Sequence, residues 1–161
     1  MILRIPPLAL INSIYAWCPE VAKMREPIVA GGFNRAYYAG EKPKDMDIFF
    51  ENESNFNCAK IILEENKWNN VFETDRAISF NKENKIVQLI KFSFQSLEKT
   101  LDIFDFTICM AGVAIYRIDE GEELKFDARE RLHDNFFEHL AARLLVYNNS
   151  SMPLSSLKRA F

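Results

Sequence analysis

The residues best suited to chemistry lie in one short stretch: Gly31-Gly32-Phe33-Asn34-Arg35, followed by Gly40-Glu41-Lys42-Pro43-Lys44-Asp45-Met46-Asp47-Ile48. Paired glycines between a strand and a helix let an anion approach the backbone closely, and the exposed amides there favour a phosphate. Two aspartates at i and i+2 on a strand point to the same side. Such a pair holds hard cations, so Mg²⁺ or Mn²⁺, sharing oxygen ligands with a triphosphate, is the natural occupant of Asp45 and Asp47. Arg35 and Lys44 are placed to neutralise phosphate charge. A glycine pair alone is ordinarily a turn, and an isolated Asp-x-Asp is ordinarily a solvated edge. Their combination with Arg35 and the second glycine turn at Gly40 carries the signal.

These residues need elements to hold them. Pro27-Ile28-Val29-Ala30 predicts a short strand running into Gly31, then a helix through Tyr38 stopped by Gly40. Asp45 to Phe50 predicts a strand. Upstream, a helix opens after Pro7 with Leu8, Ile11, Ile14 and Tyr15 on one face, and Pro19 ends it. Ser54 is expected to cap a helix with Phe56, Ala59, Ile61 and Ile62 on its apolar side. Ala77–Phe80 and Ile86–Ile90 predict a hairpin about Asn81-Lys82-Glu83-Asn84. A short helix from Ser96 to Phe104 follows, then a central strand over Phe106–Tyr116. Glu120-Gly121 turns the chain into Leu124-Lys125-Phe126, and a final helix is expected from about Arg129 to Tyr147. Hairpins flanked by helices predict an α+β fold with a mixed or antiparallel sheet.

Composition bounds the possibilities. A chain of 161 residues with 48% hydrophobic residues and 14 phenylalanines can fill one compact domain without disulfides. A net charge of −3 excludes bulk attraction to polyanions, so nucleic acid would have to be met by a local basic patch or a metal. The three cysteines lack CxxC spacing and are expected to be free thiols in a reducing compartment. His133 and His139 are spaced wrongly for one zinc on a helix. No signal peptide or membrane span is expected, which makes a cytoplasmic location the default.

At Ile28 to Phe50 the chain resembles the polymerase-β-like nucleotidyltransferase superfamily, most of all the catalytic head of CCA-adding tRNA nucleotidyltransferases and bacterial poly(A) polymerases. That pattern is Gly-Gly-x-x-Arg-Asp, a short helix, then Gly-x-x-Pro-x-Asp-x-Asp-[Ile/Leu]; Gly31, Gly32, Arg35, Gly40, Pro43, Asp45, Asp47 and Ile48 match it in register. The resemblance implies one catalytic domain over 1–161, with the strongest match at 28–50 and a C-terminal helical segment at about 129–161. It implies that Asp45 and Asp47 bind the catalytic metals, and that a nucleotidyl group passes from a nucleoside triphosphate, ATP among the candidates, to an acceptor such as an RNA or tRNA end. The acceptor can equally be a protein side chain or a small molecule.

The chain departs from that pattern in three respects. Ala36 stands where the family has an aspartate, and Gln88 occupies the strand position where many relatives carry a third carboxylate. Asp105, in a stretch similar to the family's Asp-Phe-Thr-Ile-Asn, is the candidate substitute, with a cap or turn role left open. The chain stops at Phe161, short of the helical domains that grip tRNA, so generic nucleotidyl transfer is expected rather than CCA addition. Two rivals remain: a non-catalytic binding or regulatory module on the same fold, and a subunit completed by a partner chain.

Overall fold

An eight-stranded mixed sheet forms the backbone of the computed structural model, which describes residues 1–120 and 123–148. Its strands are β1 (Ile2–Arg4), β2 (Ile28–Ala30), β3 (Met46–Phe49), β4 (Asn69–Glu73), β5 (Ala77–Lys82), β6 (Lys85–Ile90), β7 (Ala111–Glu120) and β8 (Glu123–Leu132). They lie in the order β1-β8-β7-β2-β3-β6-β5-β4. Every neighbouring pair is antiparallel except β3 and β6. The helices are α1 (Leu8–Trp17), α2 (Gly32–Ala39), α3 (Glu53–Glu65), α4 (Leu97–Asp102) and α5 (Phe136–Ala141). The α+β fold expected from the pattern is the one observed.

Strand alternation divides the side chains between two layers. Val29, Met46, Ile48, Val87, Leu89 and Val113 point into a core shared with Leu10 and Ile14 of α1 and Phe56, Ala59 and Leu63 of α3. Ile28, Ala30, Phe49 and Ala114 face the opposite way, onto Leu97 and Leu101 of α4. Full burial of leucines like these contributes about 1.5–3 kcal/mol each. Helix α4 lies unusually close to the sheet because β7 carries Gly112; a Cβ there would sit 2.7 Å from Leu97 Cδ1 and 3.1 Å from Ala30 Cβ. The helix is short and covers only part of that face.

Several local expectations are corrected. Asn52, not Ser54, caps α3, its side chain accepting the Asn55 N–H at 2.8 Å. The buried stripe of α1 is Leu10 and Ile14, while Leu8 is exposed; in α3 Leu63 is buried and Ile61 exposed. The β5–β6 turn is tighter than expected, with positive φ at Glu83 and Asn84 alone and pairing out to Lys82 and Lys85. The central strand begins at Ala111, because Thr107–Cys109 form a 3-10 turn. No helix starts at Arg129: β8 runs to Leu132, clamped between β7 and β1, and α5 occupies only Phe136–Ala141. Two-sided backbone pairing of Glu130, Arg131 and Leu132 outweighs their helix-compatible spacing. Gly121 and the part of the expected C-terminal helical segment at 149–161 lie outside the described residues.

Candidate active site

Gly31 ends β2 by donating its N–H to the Ala111 carbonyl at 3.0 Å and opens α2 by accepting the Arg35 N–H at 3.1 Å. It turns between these bonds at φ +90° and ψ −132°, a conformation that only glycine adopts cheaply. A Cβ on Gly31 would meet the Phe104 ring at 3.6 Å, whereas one on Gly32 would have only the Arg35 guanidinium near it, at 3.9 Å. Gly32 thus presents bare backbone to open space, under a cation and at a helix N-terminus. That is the arrangement a phosphate requires.

Across the turn stand the aspartates. Met46 and Ile48 of β3 are committed to the α1/α3 core, so alternation turns Asp47 to the α4 face. Its Oδ1 is shielded from solvent and has no hydrogen-bond partner among the described residues. Burial, and secondly the charge of Asp45, push the Asp47 carboxyl up to about 7. A buried carboxylate beside a second carboxylate is under-neutralised, and a divalent cation is the group that relieves both charges at once. By that test the pair fits a hard metal ion.

The cleft above them measures about 320 Å³ and is lined by Gly32, Arg35, Asp47, Phe104, Asp105 and Cys109 among others. Structure therefore gathers Gly32, Arg35, Asp47 and Asp105 into one space, with Gly31 shaping its rim and Asp45 acting on Asp47 from beside it. Lys44 is exposed and lies outside that lining. Asp105 is buried and follows α4, held through its carbonyl, which accepts the Asn148 N–H at 2.6 Å. Among the described residues no three His, Cys, Asp or Glu side chains converge on one metal position, so Asp105 shares the cleft without completing a three-carboxylate cluster. Gln88 pairs in register with Asp47 and faces the same way.

One cluster was not anticipated. Glu130 of β8 is fully buried and takes the Arg4 Nε at 2.6 Å on one oxygen and the Tyr38 hydroxyl on the other. Arg4 also donates to the Tyr38 hydroxyl at 2.8 Å. Burial first, then Glu130, holds the Tyr38 phenol well above its ordinary pKa. This network ties β1 and β8 to the C-terminal end of α2, the helix whose first turn forms the glycine site. The only sequence signal was a glutamate at an inward position of an alternating strand, and it was hidden by reading that segment as helix.

The comparisons with known proteins follow this geometry. Residues 9–143 match the profile described as "Gad2: Gabija anti-defense 2 family protein". The chain belongs to the Gabija anti-defense 2 family. A family relative named "Gabija anti-defense 2", from Bacillus phage SPbetaL7, is 32% identical over 158 residues, which is 92% of this chain and 36% of that protein. The chain thus spans little more than a third of that relative's length. Among solved structures, this Gabija anti-defense 2 family chain is similar to a CCA-adding enzyme in apo form I (TM-score 0.67, 17% identity, 92% of this chain and 37% of the other). It is also similar to the Thermotoga maritima CCA-adding enzyme complexed with tRNA (TM-score 0.62, 17% identity, 88% and 35%). A CCA-adding enzyme in complex with CTP matches at TM-score 0.60, 18% identity, 92% and 36%. At such identities these matches establish the nucleotidyltransferase-like fold, as the resemblance at Ile28–Phe50 implied.

Proposed function

We propose that this chain transfers a nucleotidyl group from a nucleoside triphosphate to an acceptor, with Asp45 and Asp47 holding Mg²⁺ or Mn²⁺. The observation that carries the reading is the buried Oδ1 of Asp47, unpartnered among the described residues and sharing one cleft with a glycine turn and a guanidinium. When bound, the metal supplies Lewis acidity at the phosphoryl oxygens. The chain's own residues do the rest. The bare amides around Gly32 and the Arg35 guanidinium bind and orient the phosphates, Phe104 limits water at the rim, and Asp105 orients the acceptor hydroxyl and receives its proton. The acceptor oxygen bonds to the α-phosphorus, the bond from that phosphorus to the bridging oxygen breaks, and pyrophosphate leaves with the electron pair. The CCA-adding enzymes of like fold were solved with tRNA, ATP and CTP, which supports a triphosphate and an RNA end as the substrates to try first. Given the name of the relative, transfer to an acceptor would be the chemical means of an anti-defense role.

A second reading is favoured by Gln88, a neutral amide where a further metal-binding carboxylate would help: nucleotide binding without turnover, alone or inside a larger assembly. One experiment separates the two. Each labelled nucleoside triphosphate is incubated with the protein, Mg²⁺ or Mn²⁺, and a mixed pool of RNA and protein. Label entering an acceptor fraction with matching release of pyrophosphate supports transfer. Saturable binding with no release supports the second reading.

A further inference from the structure

At the opposite end of the β2–β3 pair from the glycine turn lies a polar cleft of about 440 Å³. Its lining comes from the segment entering β2 (Lys23, Met24, Arg25 and Glu26), from the start of α3 (Asn52, Asn55 and Cys58) and from Arg117 on β7. The topology keeps it apart from the Asp47 cleft: Gly31 follows β2 and Asp45 precedes β3, whereas Glu26 precedes β2 and Asn52 follows β3.

Asn55 is the informative residue. It is 7% exposed, and its backbone N–H is satisfied by the Asn52 cap at 2.8 Å. Its side-chain amide lines the cleft and makes no hydrogen bond to any described residue. A largely buried residue whose amide still opens on the cleft offers two donors and an acceptor that a bound group can take over from solvent. Around it, the first turn of α3 offers backbone N–H groups with the positive end of a thirteen-residue helix. Lys23 and Arg25 bring two exposed cations to the lining, which Glu26 and the already engaged Arg117 share. Glu53, in the same turn, is exposed and disfavours a diffuse anion cloud while leaving a specific oxyanion its donors.

We infer that this cleft binds a phosphate group, delivered by a nucleotide or by a polynucleotide backbone, with the Asn55 amide and the α3 N-terminus as donors and Arg25 and Lys23 as counter-charges. The site is independent of the reaction proposed for the Asp47 cleft. A phosphate held at the far end of the sheet would fasten a long substrate, or sense a free nucleotide, without entering the reacting centre.

The test is a titration of the full chain, metal-free, followed by ¹H–¹⁵N correlation spectra, with inorganic phosphate, AMP and a 5′-phosphorylated RNA oligonucleotide as probes and chloride as the ionic-strength control. The expected result is a saturable shift of the Asn55 side-chain amide and the Glu53 and Ser54 backbone amides, with the affinity read from Glu53 and Ser54 at least tenfold weaker in Arg25→Ala and in Asn55→Ala. Gly31 and Gly32 report the other cleft in the same spectra. If AMP and inorganic phosphate bind equally, the source is a free phosphate or nucleotide; if the oligonucleotide binds tenfold tighter with steep salt dependence, it is a polynucleotide. No saturable shift at Asn55, shifts reproduced by chloride, or shifts unchanged in a folded Arg25→Ala protein would each overturn the proposal.

Discussion

Asp47 and Gln88 stand side by side on the one parallel pair of the sheet, in register and on the same face. A carboxylate at position 88 would adjoin Asp47 directly. Gln88→Asp should therefore tighten Mn²⁺ binding by roughly tenfold and raise any transfer rate, since a neutral amide is a poor ligand for a hard cation. Mn²⁺ affinity by calorimetry reads the first effect. An unchanged affinity in the folded variant would mean that the metal sits away from β6.

Asp45→Asn and Asp47→Asn should each abolish transfer without unfolding the chain. Removing one metal ligand withdraws charge stabilisation of about 3 kcal/mol or more from the transition state. The check is single-turnover transfer together with a thermal melt. Wild-type rates in either variant would falsify the metal assignment.

The pH dependence of stability follows from Asp47. Its carboxyl titrates at about 7 in the fold against 3.8 for the ordinary group. The folded state thus holds this proton more tightly than the unfolded chain does. The stabilisation is complete below about pH 4, fades as pH rises, and is gone above about 7. In EDTA the wild-type chain should lose roughly 1–3 kcal/mol more than Asp47→Asn across that window. Urea midpoints at pH 5 and pH 8 for both proteins measure the difference, and parallel curves would show that Asp47 ionises freely. Added Mg²⁺ competes with the proton, so its apparent affinity should climb over the same range.

Gly32→Val should weaken triphosphate binding by tenfold or more while costing little stability, because its Cβ enters open cleft rather than packed protein. Gly31→Ala should do the reverse in part, costing about 1–3 kcal/mol through its positive φ. Calorimetric binding of a non-hydrolysable triphosphate with Mg²⁺, alongside chemical denaturation, separates the two. Equal effects at both positions would demote the turn to a purely structural element.

Glu130→Ala should destabilise by about 1–3 kcal/mol, since it removes the acceptor of the half-buried Tyr38 hydroxyl, while the partly exposed Arg4 guanidinium can turn to solvent. Glu130→Gln should cost less, because an amide oxygen still accepts from one of them. Denaturant midpoints rank the variants. An alanine variant as stable as the wild type would show that β1 is not anchored through this network.

What was legible in the sequence was what is local. The β2–α2–β3 unit could be read because glycines, proline and paired aspartates mark its turns and strands in consecutive residues. The second half was harder, because its elements are decided by partners distant in sequence. Arg129–Leu132 is strand only because β7 and β1 flank it, and Ile2–Arg4 is strand only because β8 receives it. Asp105 was singled out through the motif around it, but its sharing of a cleft with Asp47 depends on how α4 packs against Gly112, which no spacing reveals. Lys44 stands outside the cleft lining, because adjacency to Asp45 in sequence does not aim a side chain into the cleft.

The same division between near and far has a kinetic side. Gly31, Arg35, Asp45 and Asp47 belong to a unit that closes over a short loop, so their mutual placement requires little chain entropy to be surrendered. Asp105 reaches them only after β7 has docked against β2, a pairing of residues near 29 with residues near 113. Contacts of that separation form late in folding. The two walls of the cleft therefore mature at different times, and a chain caught between those events would already have its paired aspartates beside α2 while lacking the wall that encloses them.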